Sequence, residues 1–185
     1  MPVTITYPPA AALSSRRDAA AVIRAVAAQV RRQLPPSEDK LAVQLSALVA
    51  ASRDIEVNGH RLAGSWEFDR ALKDETGHPV LGICHTDPHE PGWVYLAVDG
   101  LATRNRPDLT LSTAAHEFGH MLFDVPAALE RGERHYRAVA ASAQALDRVG
   151  RGAEARANEF MGALLTPPVA LHTRLLAHAR SEALR

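Results

Sequence analysis

Residues 116–120 read HEFGH inside the apolar stretch TLSTAAHEFGHMLF, and they constrain the fold more than any other segment. Successive residues of an α-helix turn by about 100°, so His116 and His120 project from one face, one turn apart. Two imidazole nitrogens placed in this way can bind one Zn²⁺ at about 2.0–2.1 Å. Glu117 points elsewhere around the helix and can act beside the metal as a general base. The pattern predicts a helical metal site of the hydrolytic type.

A chance origin of the motif is improbable on two grounds. In a chain with 9 histidines, HExxH is expected by chance only about 0.03 times. The surrounding helix is also apolar, so the motif is expected to be partly buried, where its polar groups need partners. Gly119 costs about 1 kcal/mol relative to alanine within a helix. A neighbouring element is therefore expected to come close to Gly119.

A catalytic zinc ion takes three protein ligands, and the segment EARANEFMGALLTPP at 154–168 offers two candidates for the third. On a helix, Glu154 shares the apolar packing face, whereas Glu159 points towards solvent. Glu154 is therefore the better candidate ligand, Glu159 is the alternative, and both could instead be surface charges. Asn158 lies one turn after Glu154 and can form a hydrogen bond with a ligating histidine, which fixes its tautomer. The predicted packing face consists of Ala157, Phe160, Met161, Leu164 and Leu165.

HEFGH, followed by E-x-x-A-N-x-F and L-L-x-P, resembles the ImmA/IrrE family of bacterial metallopeptidase-like proteins. The resemblance covers roughly residues 40–168, with its specific motifs at 116–120 and 154–167. It implies that His116, His120 and Glu154 are metal ligands and that Glu117 is the general base. Asn158 occupies the position at which related thermolysin-type enzymes have an acidic residue that supports the ligands.

The chain departs from the family pattern at four positions and keeps every implied ligand. Arg156 stands where a second glutamate is usual, and Thr166 replaces the usual methionine. Met161 and Gly162 differ from the small residues preferred there. These departures concern the substrate preferences of the family more than its metal.

The family resemblance implies a function in gene regulation. Members are linked to the cleavage or release of repressors, often beside a helix-turn-helix protein, and some related proteins act in toxin–antitoxin pairs. We therefore expect a zinc-dependent endopeptidase that cleaves a specific protein substrate, such as a transcriptional repressor. The alternatives are a metal-stabilised binding or regulatory module without proteolysis, and an amidase that acts on a small substrate.

Other polar residues offer weaker hypotheses. A peptidase needs a donor for the developing oxyanion, and His135, Tyr136 and Tyr95 are candidates for this role or for substrate contact. His85 and His89 also lie four residues apart, but Pro88 argues against a helix there, so loop positions are favoured over a second metal site. The stretch WVYLAV at 93–98 could form an edge strand to which a peptide substrate adds.

The order of sequence patterns predicts an α+β fold, and the resemblance to ImmA/IrrE implies that it is minimal zincin-like. It comprises N-terminal helices, a small antiparallel sheet, the HExxH helix and a second ligand helix. Helices are expected to begin at Ser14 or Ser15, at Ser37 and at Asp108. Residues 125–150 are also expected to be helical, with an interruption near Gly132, followed by a last helical block over about 152–165. One domain spans 1–185, with a lead-in at 1–13 and a helical tail at 169–185.

Composition narrows the range of partners and compartments. Lysine plus arginine equals aspartate plus glutamate at 21 each, so no net charge favours binding to nucleic acid or to a membrane. Cys84 is the single cysteine, so no internal disulfide can form, and we expect it to fill space in a strand. We identify no signal peptide or membrane-spanning segment, so a cytoplasmic location is expected.

Overall fold

The computed structural model describes residues 2–8, 16–35, 42–139 and 148–183. Within these ranges the chain forms a mixed α/β structure of five helices and one six-stranded sheet. The helices are α1 (Arg16–Gln33), α2 (Leu45–Ser52), α3 (Pro107–Glu130), α4 (Arg148–Leu165) and α5 (Pro168–Ala183). The strands are β1 (Val3–Ile5), β2 (Ile55–Val57), β3 (His60–Glu67), β4 (Gly82–Thr86), β5 (Trp93–Val98) and β6 (Arg137–Val139).

Of the two N-terminal helices, only α2 departs from the sequence prediction within the described residues. Helix α1 buries Ile23, Val26 and Val30 along one stripe, as its periodicity predicts, whereas Ser14 and Ser15 lie outside the described residues. Helix α2 begins only at Leu45, because the preceding Gln44 is extended, with φ −96° and ψ 142°. A continuous helix running from Ser37 through Leu45 was therefore a wrong prediction. Ser37 itself lies outside the described residues.

The sheet is mixed, which corrects the expectation of a small antiparallel sheet. Its strand order is β1-β2-β3-β5-β4-β6. Strand β1 pairs with β2 in parallel, β3 pairs with β5 in parallel, and the other three pairings are antiparallel. Because β5 is bonded to a strand on each side, WVYLAV is not an edge strand. Among the described strands, β1 and β6 lie at the edges of the sheet.

Side chains that alternate along the central strands separate two clusters on the two faces of the sheet. Cys84 of β4 and Leu96 of β5 belong to the main core, which also contains Phe118 of α3. Ile83 of β4 packs on the other face, in a smaller cluster with Leu72. Cys84 is fully buried, as expected for a residue that fills space in a strand. Helix α3 therefore covers only one face of the sheet.

Helix α3 has a different N-cap residue from the one that the sequence suggested. Arg106 is its N-cap residue and makes no side-chain cap, while Asp108 lies inside the first turn and is therefore not the cap that the sequence suggested. The helix continues through Pro126, which has no N–H to donate to the carbonyl group of Leu122, four residues earlier. The hydroxyl group of Tyr7 donates to that carbonyl oxygen at 2.6 Å. The N-terminal segment thus satisfies the carbonyl group that the proline leaves without a partner.

The predicted interruption near Gly132 is confirmed, whereas the prediction of helix after it was wrong for residues 133–139. Helix α3 ends at Glu130, and Gly132 follows with φ +75°, a conformation that glycine adopts readily. Residues 137–139 then form β6, which pairs with β4. Residues 140–147 lie outside the described part of the chain, and α4 begins at Arg148.

Helices α3 and α4 pack together at Gly119. A Cβ atom added there would lie 3.1 Å from the Cα atom of Ala157 and 3.2 Å from a ring carbon of Phe160. The close approach explains why the sequence accepts a glycine inside a buried helix. It also brings the HEFGH turn next to the turn that carries Glu154.

Among the described helices, none is long and apolar enough to cross a membrane.

Candidate metal centre

Three side chains from α3 and α4 converge on one point. The Nε2 atoms of His116 and His120 lie 3.1 Å apart. One carboxylate oxygen of Glu154 lies 3.2 Å from the Nε2 atom of His116, and the other lies 3.3 Å from the Nε2 atom of His120. His116 is 8% exposed and His120 is fully buried. This His-His-Glu group could hold a metal ion.

The spacing of the donor atoms fits one tetrahedral ion. Ligand atoms about 2.0–2.1 Å from a tetrahedral metal lie about 3.3 Å from one another, which matches the distances within the group. The Nδ1 atom of His116 faces the side-chain oxygen of Asn158 at 3.2 Å, and that of His120 faces Asp124 at 2.8 Å. In the tautomer in which each Nδ1 atom donates its N–H to the facing oxygen, both Nε2 atoms are available for coordination.

The electrostatics of the site favour a positive charge between these ligands. Burial lowers the pKa of His120, but hydrogen bonds to Asp124 and Glu154 outweigh burial and raise it to about 10. Burial raises the pKa of Glu154, but hydrogen bonds to His116 and His120 outweigh it and lower that pKa to about 2. The same carboxylates that favour a proton on His120 also favour a cation at its Nε2 atom.

Asp124 is a site residue that the sequence reasoning missed. It is 4% exposed and lies one turn after His120 on α3. Arg156 of α4 donates a short hydrogen bond to its other oxygen. Burial raises the pKa of Asp124, but His120 and Arg156 together hold it below its usual range. An acidic residue four positions after the second histidine, in a stretch otherwise apolar, was the available signal.

Arg156 gives a structural reason for one departure from the ImmA/IrrE pattern. It occupies the place of the second glutamate in E-x-E-A-N and pairs with Asp124 across the interface between α3 and α4. A glutamate at this position would face the buried carboxylate of Asp124 and repel it. An arginine at position 156 is therefore compatible with the buried Asp124, whereas a glutamate there is not.

Glu117 lies beside the three ligands in a different environment. It is 1% exposed, and neither of its carboxylate oxygens has a hydrogen-bond partner among the described residues. Burial raises its pKa to about 7. Strand β4 approaches so closely that a Cβ atom added at Gly82 would overlap the Glu117 carboxylate. A buried carboxyl group with this pKa can take up and release a proton near neutral pH.

A cavity of about 290 Å³ opens next to this carboxylate. Its polar wall includes His116, Glu117, Glu154 and Asn158, so the predicted metal site and general base face one space. Its other wall is formed mainly by apolar side chains, those of Leu81, Leu109 and Met161. The arrangement allows a water molecule and an apolar group of a substrate to meet near Glu117.

The three oxyanion candidates occupy different places. The hydroxyl group of Tyr136 lies 3.2 Å from the Nδ1 atom of His120, on the side of the ring that faces away from Glu154. His135 and Tyr95 line a separate cavity on the opposite face of the sheet. The structure therefore brings only Tyr136 near the candidate metal centre, as a support for His120 and not as a group facing its cavity.

The remaining candidates lie away from the centre. Glu159 forms an exposed ion pair with Arg24 of α1 at 2.8 Å, so the geometry favours Glu154 over Glu159 as the third ligand. His85 lies on β4 and His89 in the turn before β5, so the prediction of two loop positions was wrong for His85. The described residues contain no second cluster of three side chains able to hold a metal.

Comparisons with protein-family models, with curated proteins and with solved structures find no match to the chain. The resemblance to ImmA/IrrE therefore stays a prediction based on the residues of the two motifs.

Proposed function

We propose that the protein is a zinc-dependent endopeptidase. The observation that carries the proposal is the facing pair of Nε2 atoms, 3.1 Å apart, with both oxygens of Glu154 within 3.3 Å of them. Two histidine nitrogens and one carboxylate form a typical ligand set for catalytic zinc, which keeps a fourth position open. Glu117 stands next to this set without belonging to it, as a general base requires.

The groups around the cavity would have different roles in peptide hydrolysis. Bound zinc supplies Lewis acidity, which polarises a carbonyl group and lowers the pKa of water towards 7. Glu117 takes the proton from the attacking water and gives it to the amine of the leaving peptide, and its burial, which raises its pKa, favours uptake of that proton. Leu81, Leu109 and Met161 offer a surface for an apolar side chain of the substrate next to the cleaved bond.

We propose that the substrate is a transcriptional repressor or similar regulator, such as a helix-turn-helix protein. The support for this substrate is the resemblance of the two motifs to ImmA/IrrE. A cytoplasmic location belongs to the same proposal and agrees with the single, unpaired Cys84.

The proposal is tested by metal analysis together with a substitution of the general base. We expect about one zinc ion per chain in the wild-type protein and in Glu117→Gln, because Glu117 is not a ligand. Mapping new N-termini in a denatured bacterial proteome should show cleavage by the wild-type protein and none by Glu117→Gln. Glu159→Gln is the matched control, since it removes a carboxylate outside the site and should keep both zinc and cleavage.

The same measurements separate an endopeptidase from a metal-stabilised binding module. Glu154 joins α4 to two histidines of α3, so a bound ion would also hold the two helices together. If zinc binds but the wild-type protein and Glu117→Gln produce identical peptide patterns, the endopeptidase proposal is wrong. A regulatory module that binds its partner without cutting it would then take its place.

A further inference from the structure

A second cavity, of about 310 Å³, lies on the face of the sheet opposite the candidate metal centre. Along β4, Cys84 points into the main core beneath α3, whereas Ile83 and His85 point the other way and line this cavity. Four segments of the chain enclose it: the residues that follow β3, the centre of β4, the centre of β5, and residues 135–137 at the start of β6. The zinc endopeptidase proposal makes no use of this cavity.

The charged side chains that line this cavity are all basic. Arg70 and Lys73 follow β3, Arg137 comes from β6, and no aspartate or glutamate of the described residues lines the walls. The rings of His85 and His135 also line the cavity. The whole chain carries 21 basic and 21 acidic residues, so this concentration of one sign is local. Such a cavity attracts anions.

The contacts of the basic groups show how an anion would be held. Arg137 donates from Nη1 to Glu75 at 3.0 Å, and the Glu75 side chain is 76% exposed. An exposed pair of this kind contributes little to stability, so a more highly charged anion can replace Glu75. Among the described residues, Lys73 forms no ion pair, and its ammonium group is available.

The opposite wall combines a fixed cation with aromatic surface. Arg70 donates from Nε to Glu67 at 2.7 Å, and its Nη2 atom lies 3.4 Å from the hydroxyl oxygen of Tyr95. The rings of Tyr95 and His85 lie against each other with centroids 4.9 Å apart. Burial lowers the pKa of His85, and the charge of Arg137 lowers it further. The wall thus offers a positive field beside a flat surface.

We propose that this cavity binds a small ligand that carries a phosphate group, either inorganic phosphate or a phosphomonoester. Two guanidinium groups and one ammonium group around one space suit a dianion better than a singly charged carboxylate. The volume of about 310 Å³ lies at the lower end of the range for small-molecule sites, which limits the ligand to a compact molecule. The rings of Tyr95 and His85 would contact the organic part of a phosphomonoester.

The test uses the purified full chain with its metal and titrates it calorimetrically at constant ionic strength. The probes are inorganic phosphate, phenyl phosphate and benzoate, so the source of the phosphate and the preference over a carboxylate are both measured. Lys73→Gln and Arg137→Gln each remove one cation from the cavity. Arg134→Gln is the matched control, because it removes the same charge three residues from Arg137 without touching the cavity wall.

We expect saturable binding of one phosphate or phenyl phosphate per chain, about tenfold or more weaker in Lys73→Gln and in Arg137→Gln, and unchanged in Arg134→Gln. Tighter binding of phenyl phosphate identifies a phosphomonoester as the ligand, and equal binding identifies phosphate alone. Absence of saturable binding overturns the proposal, as does equal weakening by Arg134→Gln or binding of benzoate as tight as that of phenyl phosphate. Phosphate bound at the metal would not respond to Lys73→Gln, and that result also overturns it.

Discussion

Asp124 lies one turn after His120 on the same helix, and its carboxylate accepts a hydrogen bond of 2.8 Å from the Nδ1 atom of His120. This contact fixes the tautomer and the orientation of the ring, so the Nε2 atom faces His116 and Glu154. Asn158 of α4 does the same for His116 from the other helix. The orientation of the His120 ring is therefore set within α3, whereas that of the His116 ring depends on how α4 packs against α3.

The first prediction concerns the contact between Asp124 and His120. Asp124→Asn replaces a charged acceptor by a neutral one and should weaken zinc binding by about 10- to 100-fold, because the imidazole loses orientation and basicity. Competition with a chromophoric chelator measures the affinity. Glu159→Gln also removes a carboxylate paired with an arginine and should leave zinc affinity unchanged. Equal affinities for Asp124→Asn and the wild type would show that Asp124 does not support the ligand.

The second prediction concerns the identity of the third ligand. Glu154→Gln removes the carboxylate that faces both Nε2 atoms and should lower the zinc content from about one ion per chain to a small fraction. Glu159→Gln serves again as the matched substitution on the same helix and should keep full occupancy. Atomic absorption after gel filtration in chelator-treated buffer measures both. Loss of zinc in Glu159→Gln and not in Glu154→Gln would reverse the assignment.

The residues that the sequence alone could place were those set by local periodicity. His116, His120 and Glu154 each follow from the 3.6-residue repeat of one helix, and the apolar face of each helix shows which side meets the other. The structure brings these three side chains together as that argument expects. Asn158 follows from the same repeat, because it lies one turn after Glu154.

The residues that the sequence could not place depend on contacts between distant segments. The parallel pairing of β3 with β5 and of β1 with β2 is set by non-local packing, for which a single strand carries no signal. Strand β6 is only three residues long, which is too short for its sequence to show the alternation of a strand, so it was interpreted as part of the neighbouring helical pattern. Tyr95 and Tyr136 could both be donors by residue type, and only the sheet decides which face each occupies.

The third prediction concerns the close packing of α3 on α4. An alanine at Gly119 would place its Cβ 3.1 Å from the Cα atom of Ala157, which is backbone and cannot turn aside. Overpacking costs about 1–3 kcal/mol and outweighs the gain in helix propensity of about 1 kcal/mol. We expect Gly119→Ala to lower the free energy of unfolding by about 1 kcal/mol, measured by urea denaturation of the metal-free protein.

Gly162→Ala provides the matched comparison for this prediction. Gly162 also lies inside a helix, but a Cβ atom there would meet no atom within 4 Å. The substitution should therefore raise the free energy of unfolding by up to about 1 kcal/mol through helix propensity alone. Equal stabilisation by Gly119→Ala and Gly162→Ala would show that the helices can separate at no cost.

The last prediction concerns the pH dependence that Glu117 gives to the metal-free protein. Burial raises its pKa from 4.5 in the unfolded chain to about 7 in the folded state. The folded state therefore binds the proton more tightly, and the stability that this contributes is complete below about pH 4.5 and is lost as the pH rises through about 7. Glu117→Gln cannot ionise and lacks this loss. Between about pH 5 and about pH 8, the free energy of unfolding of the wild type should fall by about 2–3 kcal/mol relative to Glu117→Gln.

Denaturant unfolding at several pH values, after chelator treatment, measures this difference. The free energy of unfolding of Glu159→Gln should change with pH as that of the wild type does. A constant difference between the wild type and Glu117→Gln would mean that the carboxylate is solvated, and the cavity would then lack its buried base.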